Sequence, residues 1–301
     1  MTRVGLVLGA GGSFGWDWIV GSLAALHDRT GFDGRTADRI VGTSVGSMVG
    51  SYLGHGTGLD RLAGHVGGLP EPLHLEHDVG TPRAGTPTVI GPAVVRARRG
   101  VGTVVGHLLR RPQLEPPGLG AEVARRVGGN QWPDAPLTIV AWNRSTRTRL
   151  ALDHGGPFDL ATSIDGSCAV PGAMPPVRVG DDELIDGGVP SMTNADLVDD
   201  DVDAVVVIAP LVLGGGRVGA SVPRLVRMIH RWTLDVELRA HRRRSVPVVV
   251  IAPSALGLER LQTAERVDRM AQARAEAASV LGSPAAAPML EVVRRHVEQA
   301  A

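Results

Sequence analysis

Two short runs, Ala204-Val205-Val206-Val207-Ile208-Ala209 and Val246-Pro247-Val248-Val249-Val250-Ile251, are apolar on both of the faces that a strand would present. A strand of that kind has no side to give to water. Both runs are therefore expected in the centre of a parallel sheet, with helices packed above and below. Four further stretches read as strands: Arg3 to Leu8, Arg39 to Gly42, Leu137 to Ala141 and Arg149 to Asp153. They alternate with segments whose apolar residues recur at three and four positions, from Trp16 to His27, Val45 to Leu53, Val222 to Arg243 and Ala264 to Val280. That alternation predicts an α/β fold around a mainly parallel sheet.

The chain has 301 residues, 43% hydrophobic and 21% charged, which excludes a disordered polymer. Its 31 cationic and 31 anionic side chains cancel, so no net basic surface exists to displace counterions from nucleic acid. Every one of the cations is arginine. Without lysine, Schiff-base chemistry, the lysine of a phosphate-binding loop and Ser-x-x-Lys acylation are all excluded, because guanidinium does not replace a compact amine. Cys168 is the single cysteine, which excludes an intramolecular disulfide and a multi-thiolate metal site. Its surroundings in sequence suit a small apolar role. The longest apolar runs fall far short of the roughly 20 residues that cross a bilayer. Met1 to Leu8 runs at once into glycines, so it reads as a strand and not as a leader; a cytoplasmic protein is expected.

One domain over residues 1–301 is expected, with an insertion at about 55–134 where Gly, Pro, Arg and His dominate. Helical pieces are expected within it from Val101 to Arg110 and from Gly120 to Val127. His74-Leu75-Glu76-His77-Asp78 carries metal-ligand residue types, but its Pro-rich setting favours a surface loop.

Three segments carry residues suited to chemistry. Leu8-Gly9-Ala10-Gly11-Gly12-Ser13-Phe14-Gly15 follows a strand and opens a helix, so its amides converge where the helix dipole favours negative charge. Its ligand could be a phosphate or a transient oxyanion, and the loop could equally be a structural turn. Ile40-Val41-Gly42-Thr43-Ser44-Val45-Gly46-Ser47 fits Gly-x-Ser-x-Gly between a strand and a helix, where Ser44 would be exposed at the sheet's carboxyl edge and side chains at Gly42 and Gly46 would collide. Leu184-Ile185-Asp186-Gly187-Gly188 ends a strand-like stretch in a turn. Alone it is only a turn. Beside a serine hydroxyl, its carboxylate could accept the proton directly.

In this order the three segments resemble the patatin-like phospholipase family of serine lipid acyl hydrolases. Ser167-Cys168-Ala169-Val170-Pro171-Gly172, Pro175-Pro176, Val189 and Asn194 extend the likeness. The resemblance implies a three-layer α/β/α sandwich around the sheet. It implies Ser44 as nucleophile, Asp186 as its base, and the amides of Gly11, Gly12 and Ser13 as an oxyanion hole. It also implies an ester-bearing lipid as substrate and no metal or other cofactor. Phe14 departs from the family, which commonly has Arg or Lys there; a hole made of backbone amides does not need that cation.

Competing readings stay open at this level. An α/β-hydrolase would pair Ser44 with a late histidine such as His230, His241 or His296, yet only one strand precedes the elbow where that fold has several. The default for His230 and His241 is a solvated helix face. A nucleotide-binding module lacks the ribose-binding acid after the second strand, and an inactive relative would retain the motifs. Two arginine clusters, Arg239, Arg242, Arg243 and Arg244 with Arg96, Arg98, Arg99, Arg110 and Arg111, are candidates for peripheral contact with an anionic membrane. Solvated helix ends explain them equally. Trp16 and Trp18 are expected to point to different sides, one toward an acyl pocket or both into the core.

Overall fold

The computed structural model describes residues 1–64, 91–97, 100–106, 118–198, 201–212, 224–254 and 266–300. The chain opens with β1 (Val4–Leu8), α1 (Gly12–Thr30), β2 (Arg39–Thr43), α2 (Val45–Gly54) and α3 (Leu59–Gly64). After β3 (Gly91–Ala97) and β4 (Gly100–Gly106) come α4 (Leu119–Val127), β5 (Leu137–Asn143), β6 (Thr148–Leu152) and α5 (Leu160–Cys168). The rest comprises β7 (Val177–Val179), β8 (Asp182–Asp186), β9 (Ala204–Ile208), α6 (Arg224–Glu237), α7 (Arg239–Arg243), β10 (Val248–Ile251), α8 (Arg266–Leu281) and α9 (Ala287–Ala300).

The main sheet runs β10-β9-β1-β2-β5-β8-β7, with β6 also paired to β5. Strands β10, β9, β1, β2 and β5 are parallel, and β6, β7 and β8 are antiparallel to their neighbours. Successive residues of the central strands enter opposite apolar layers. Leu6, Leu8, Ile40, Ile139, Val206 and Ile208 join one cluster with α1, α2, α5, α8 and α9. Val7, Val41, Val140, Val205 and Val207 join the other with Leu234 and Leu238 at the end of α6. The result is a mixed α/β fold whose mostly parallel sheet is flanked by helices.

The run at 204–209 is a central strand, as its composition requires, with all five residues of β9 buried. The run at 246–252 is not. β10 ends the sheet order, and its residues alternate between half-buried and buried. Pro247, which cannot donate to a ladder, stands just before it, a position suited to the start of an edge strand. The expected helix from Val101 to Arg110 is also corrected. Residues 100–106 form β4, paired antiparallel with β3 from Gly100↔Ala97 to Gly106↔Gly91. Its β-branched residues favour a pleated pairing once a partner strand is present. The expected helix at 120–127 is present as α4. The motif at 74–78 lies outside the described residues.

Helix α8 matched no motif, yet it packs closely on α1 at a glycine. A side-chain carbon at Gly21 of α1 would stand 2.7 Å from the Met270 carbonyl oxygen and 2.8 Å from the Ala273 methyl. Beside this approach, Asp17 of α1 is buried and accepts a hydrogen bond from Arg269 Nε at 3.0 Å. Trp16 and Trp18 are both core residues that lean in different directions. Trp16 meets Tyr52 of α2 edge to face, and the Trp18 indole N–H donates to the Ile251 carbonyl of β10. Among the described residues, no helix is long and apolar enough to cross a membrane. Because the α1–α8 contact leaves no room for a side chain, Gly21→Val is expected to cost about 3 kcal/mol through overpacking. Urea unfolding would register this as a lower midpoint at an unchanged slope.

Candidate functional site

The register of β5 brings the serine and aspartate segments together. On one edge β5 pairs with β6 through residues 139–143. Its other edge is shared by two strands that meet end to end: β2 pairs up to Thr43↔Val140, and β8 pairs down to Asp186↔Ala141. Thr43 and Asp186 therefore face consecutive residues of β5, a separation of about 3.3 Å along the strand. Ser44 follows Thr43 immediately.

At that meeting point neither strand can continue. Beyond Asp186, a side-chain carbon at Gly187 would lie 2.1 Å from the Val140 carbonyl oxygen, in the place where β2 already pairs. The chain turns aside instead, and the Gly188 N–H donates to Asp186 Oδ1 at 2.6 Å. Ser44 sits at φ 55°, ψ −124°, a left-handed conformation that L residues other than glycine adopt only under constraint. Several contacts hold it there. Its N–H donates to Ser167 Oγ at 2.9 Å, while the Ser167 hydroxyl donates to the Val140 carbonyl at 2.6 Å. Its carbonyl accepts from the Ser47 N–H at 2.8 Å and the Ser47 hydroxyl at 2.6 Å. The elbow also needs its glycines. A side-chain carbon at Gly42 would meet Ser47 Cα at 2.6 Å, and one at Gly46 would meet the Leu8 carbonyl oxygen at 2.0 Å.

The glycine loop closes the third side. Gly9 N–H donates to the Ile208 carbonyl and Ala10 N–H to the Met192 carbonyl, which anchors the loop to β9 and to the segment after Asp186. Gly11 precedes the first turn of α1, and Gly12 has φ 59°. The amides of Gly12 and Ser13 belong to a helix's first turn, whose N–H groups find no carbonyl within the helix, and no acidic residue occupies that turn. Close approaches tie this loop to the other two turns. Positions for side-chain carbons at Gly15 and Gly188 lie 3.1 Å from a Val45 methyl and 3.5 Å from the Ala10 methyl.

Ser44 and Asp186 are both buried. Burial pushes the Asp186 carboxyl up to about 6, against the lowering effect of the Gly188 N–H and of the nearby Ser44 side chain. Cys168 lies alongside, buried, with Sγ 4.0 Å from Ser47 Oγ. Burial pushes its thiol well up, which keeps it from acting as a thiolate.

Among the described residues, no histidine partners Ser44 or Asp186. His296 bonds the Thr2 carbonyl and Thr36 hydroxyl at the amino ends of the strands, the edge opposite to Ser44. His241 is buried, not solvated as expected of an Arg-rich helix. His230 is also not a fully solvated residue; burial holds its imidazole below the usual range. No cluster of three metal-ligating side chains occurs among the described residues. Of the arginines, Arg242 pairs with Asp235 at 3.2 Å; the side chains of Arg96, Arg98, Arg99, Arg110 and Arg111 lie outside the described residues.

Residues 87–199 match the family model described as Patatin-like phospholipase. Over this stretch the chain is similar to that family. The matched region holds β5, the Ser167-Cys168 segment, Asp186, Gly187, Gly188 and Asn194; Ser44 and the glycine loop precede it. Among solved structures, the crystal structure of VipD from Legionella pneumophila aligns with a TM-score of 0.46 at 12% sequence identity. The alignment covers 93% of this chain and 66% of that one. The search of curated proteins found no match.

Sequence reasoning overlooked the polar residues that support these turns. Ser47 and Ser167 each lie within a quoted motif, but only the folded register shows that they hold Ser44. Gly46→Ala would press a methyl group against the Leu8 carbonyl, with no flexible side chain able to yield. An expected loss of about 3 kcal/mol follows, measurable as an earlier urea midpoint.

Proposed function

We propose that the chain hydrolyses carboxylic esters of lipids, with Ser44 as nucleophile, Asp186 as its general base and the Gly11, Gly12 and Ser13 amides as the oxyanion hole. The observation that carries this reading is the pairing along β5, which sets Thr43, and with it Ser44, beside the buried Asp186, with no imidazole between them among the described residues.

In the first half-reaction the Ser44 Oγ–carbonyl bond forms while Asp186 takes the hydroxyl proton. The tetrahedral oxyanion is met by amides at the start of α1, where the helix dipole adds to their field. Collapse breaks the ester C–O bond, and the proton on Asp186 passes to the departing alkoxide. Water then attacks the acyl-enzyme and gives its proton to Asp186. The carboxylic acid leaves as the Ser44 oxygen is reprotonated. A carboxyl near its ordinary value would be a poor base at neutral pH; one raised to about 6 is better matched. Removing a single oxyanion donor typically costs about 3 kcal/mol, so the hole would carry a large share of the rate.

A phospholipase A or esterase reaction fits these groups, with phospholipid, lysophospholipid or neutral acylglycerol as substrate and the membrane surface met peripherally. Trp232 of α6 is an exposed large apolar side chain, and Arg239 and Arg243 lie in the turns that follow it, a combination suited to contact with anionic lipid.

Medium-chain p-nitrophenyl esters should be hydrolysed, and a fluorophosphonate should label Ser44. Ser44→Ala should lose both activities while circular dichroism stays unchanged. A folded wild-type protein that forms no adduct would defeat the reading. Because Asp186 must be ionised to accept a proton, kcat/KM should rise from pH 5 to 7 with an apparent pKa of about 6. The same raised value makes the ionised carboxylate a burden on the fold. Its contribution to stability is present at low pH and lost as pH rises through about 6. Asp186→Asn keeps the acceptor for Gly188 and carries no charge. It should therefore abolish turnover while raising, or at least preserving, the Tm at pH 8.

A further inference from the structure

The segment after Asp186 touches all three turns of the candidate site. Asn194 Nδ2 donates to the Gly187 carbonyl at 3.1 Å and to Thr43 Oγ1 at 3.1 Å, so one side-chain amide bridges the aspartate turn and the residue before Ser44. It also donates to the Ser191 carbonyl at 2.8 Å. Two residues earlier in the chain, the Met192 carbonyl receives the Ala10 N–H of the glycine loop.

Asn194 is itself held in the left-handed region, at φ 52°, and its neighbours are secured from another element. Glu237 at the end of α6 is buried, and its Oε2 accepts from the Thr193 hydroxyl at 2.6 Å and the Ala195 N–H at 3.0 Å. These donors flank Asn194 on either side. The nearby Ser191 side chain also favours the ionised form of this carboxyl. Two charged groups face it from neighbouring elements: Asp196, and Arg149 of β6, which pairs with Asp196 at 2.6 Å. Burial and the Asp196 charge push Glu237 up to about 7. A buried carboxyl is costly to keep, and among the described residues its Oε2 meets donors only from the segment that carries Asn194.

We propose that Glu237 is a positioning residue for the Ser44–Asp186 pair, clamping Thr193 and Ala195 so that Asn194 holds the two turns in register. This rests on the hydrolase reading, and it adds a residue of α6, Glu237, whose hydrogen bonds among the described residues go to Thr193 and Ala195 and not to Ser44 or Asp186. The clamp needs an acceptor at Oε2 and does not need a charge.

Three variants test it: Glu237→Leu, Glu237→Gln and Thr193→Val, each assayed for p-nitrophenyl ester turnover, thermal unfolding and amide hydrogen exchange. Glu237→Leu should lower kcat by about tenfold or more while KM stays within about twofold, as expected of misplaced reacting groups. Exchange in that variant should quicken in peptides covering 43–47 and 186–195. Glu237→Gln retains an acceptor oxygen and should restore kcat to within about threefold of wild type. Thr193→Val, which removes one donor at nearly constant shape, should fall between them. If Glu237→Leu fails to fold, the other two variants carry the comparison.

Wild-type kcat and exchange in Glu237→Leu and Thr193→Val would overturn the proposal. So would a loss confined to KM, or a Gln variant as impaired as the Leu variant. If the wild type shows no Ser44 adduct and no ester turnover, the hydrolase reading falls separately. Exchange at 43–47 and 186–195 would then still decide whether the clamp exists.

Discussion

The site depends on two strands ending head to head along one edge of β5. β2 arrives parallel and stops opposite Val140, while β8 arrives antiparallel and stops opposite Ala141. A strand edge offers a single line of hydrogen-bonding groups, so both chains must leave it at the point of collision. One leaves through the strained turn at Ser44 and the other through Gly187, where only a glycine clears the Val140 carbonyl. The nearness of hydroxyl and carboxylate is thus a result of backbone pairing. The side-chain contacts refine it.

Holding two turns against each other requires polar groups in a place that excludes water. Ser167, Ser47 and Asn194 are all buried, and each donates to a backbone carbonyl of the strands or turns it supports. Such groups are expensive to bury unpaired and therefore specify geometry once satisfied. Asp186 and Glu237 are the costlier members, since burial raises both carboxyls. Under the proposed function, stability given up at neutral pH would suit Asp186 to its role, because a well-solvated carboxylate would be a weaker base.

Much of the architecture was legible in the chain itself. The apolar runs at 4–8, 39–43, 137–143 and 204–208 are strands, and the elbow and aspartate turn lie where their glycines indicated. Helix α5 was overlooked, although Asp159 caps it by accepting the Thr162 N–H at 2.8 Å, a signal present in Asp159-Leu160-Ala161-Thr162. Strand β7, which pairs with the strand-like stretch before Asp186, and the last helix, α9, were overlooked as well. Their signals, Gly180-Asp181 between short strands and Leu290, Val293 and Val297 at helical spacing, are brief. The errors at 101–110 and 246–252 share one cause. Apolar periodicity reports that a face is covered, but not whether the neighbour is a strand, a helix or the end of a sheet.

The sequence by itself determined the strand-turn-helix punctuation, the absence of lysine and disulfide chemistry, and the residue types gathered in three glycine-bearing segments. Those properties are local: they follow from backbone sterics, periodicity and the chemistry of single side chains. Tertiary structure decided which of them meet. Register along β5 is set by pairings distant in sequence, and it alone sets Asp186 beside Thr43. The docking of α6 likewise decided that a glutamate with no motif around it would stand between Thr193 and Ala195. A carboxylate's partners depend on which elements pack against it, and no local pattern in the chain encodes that distance.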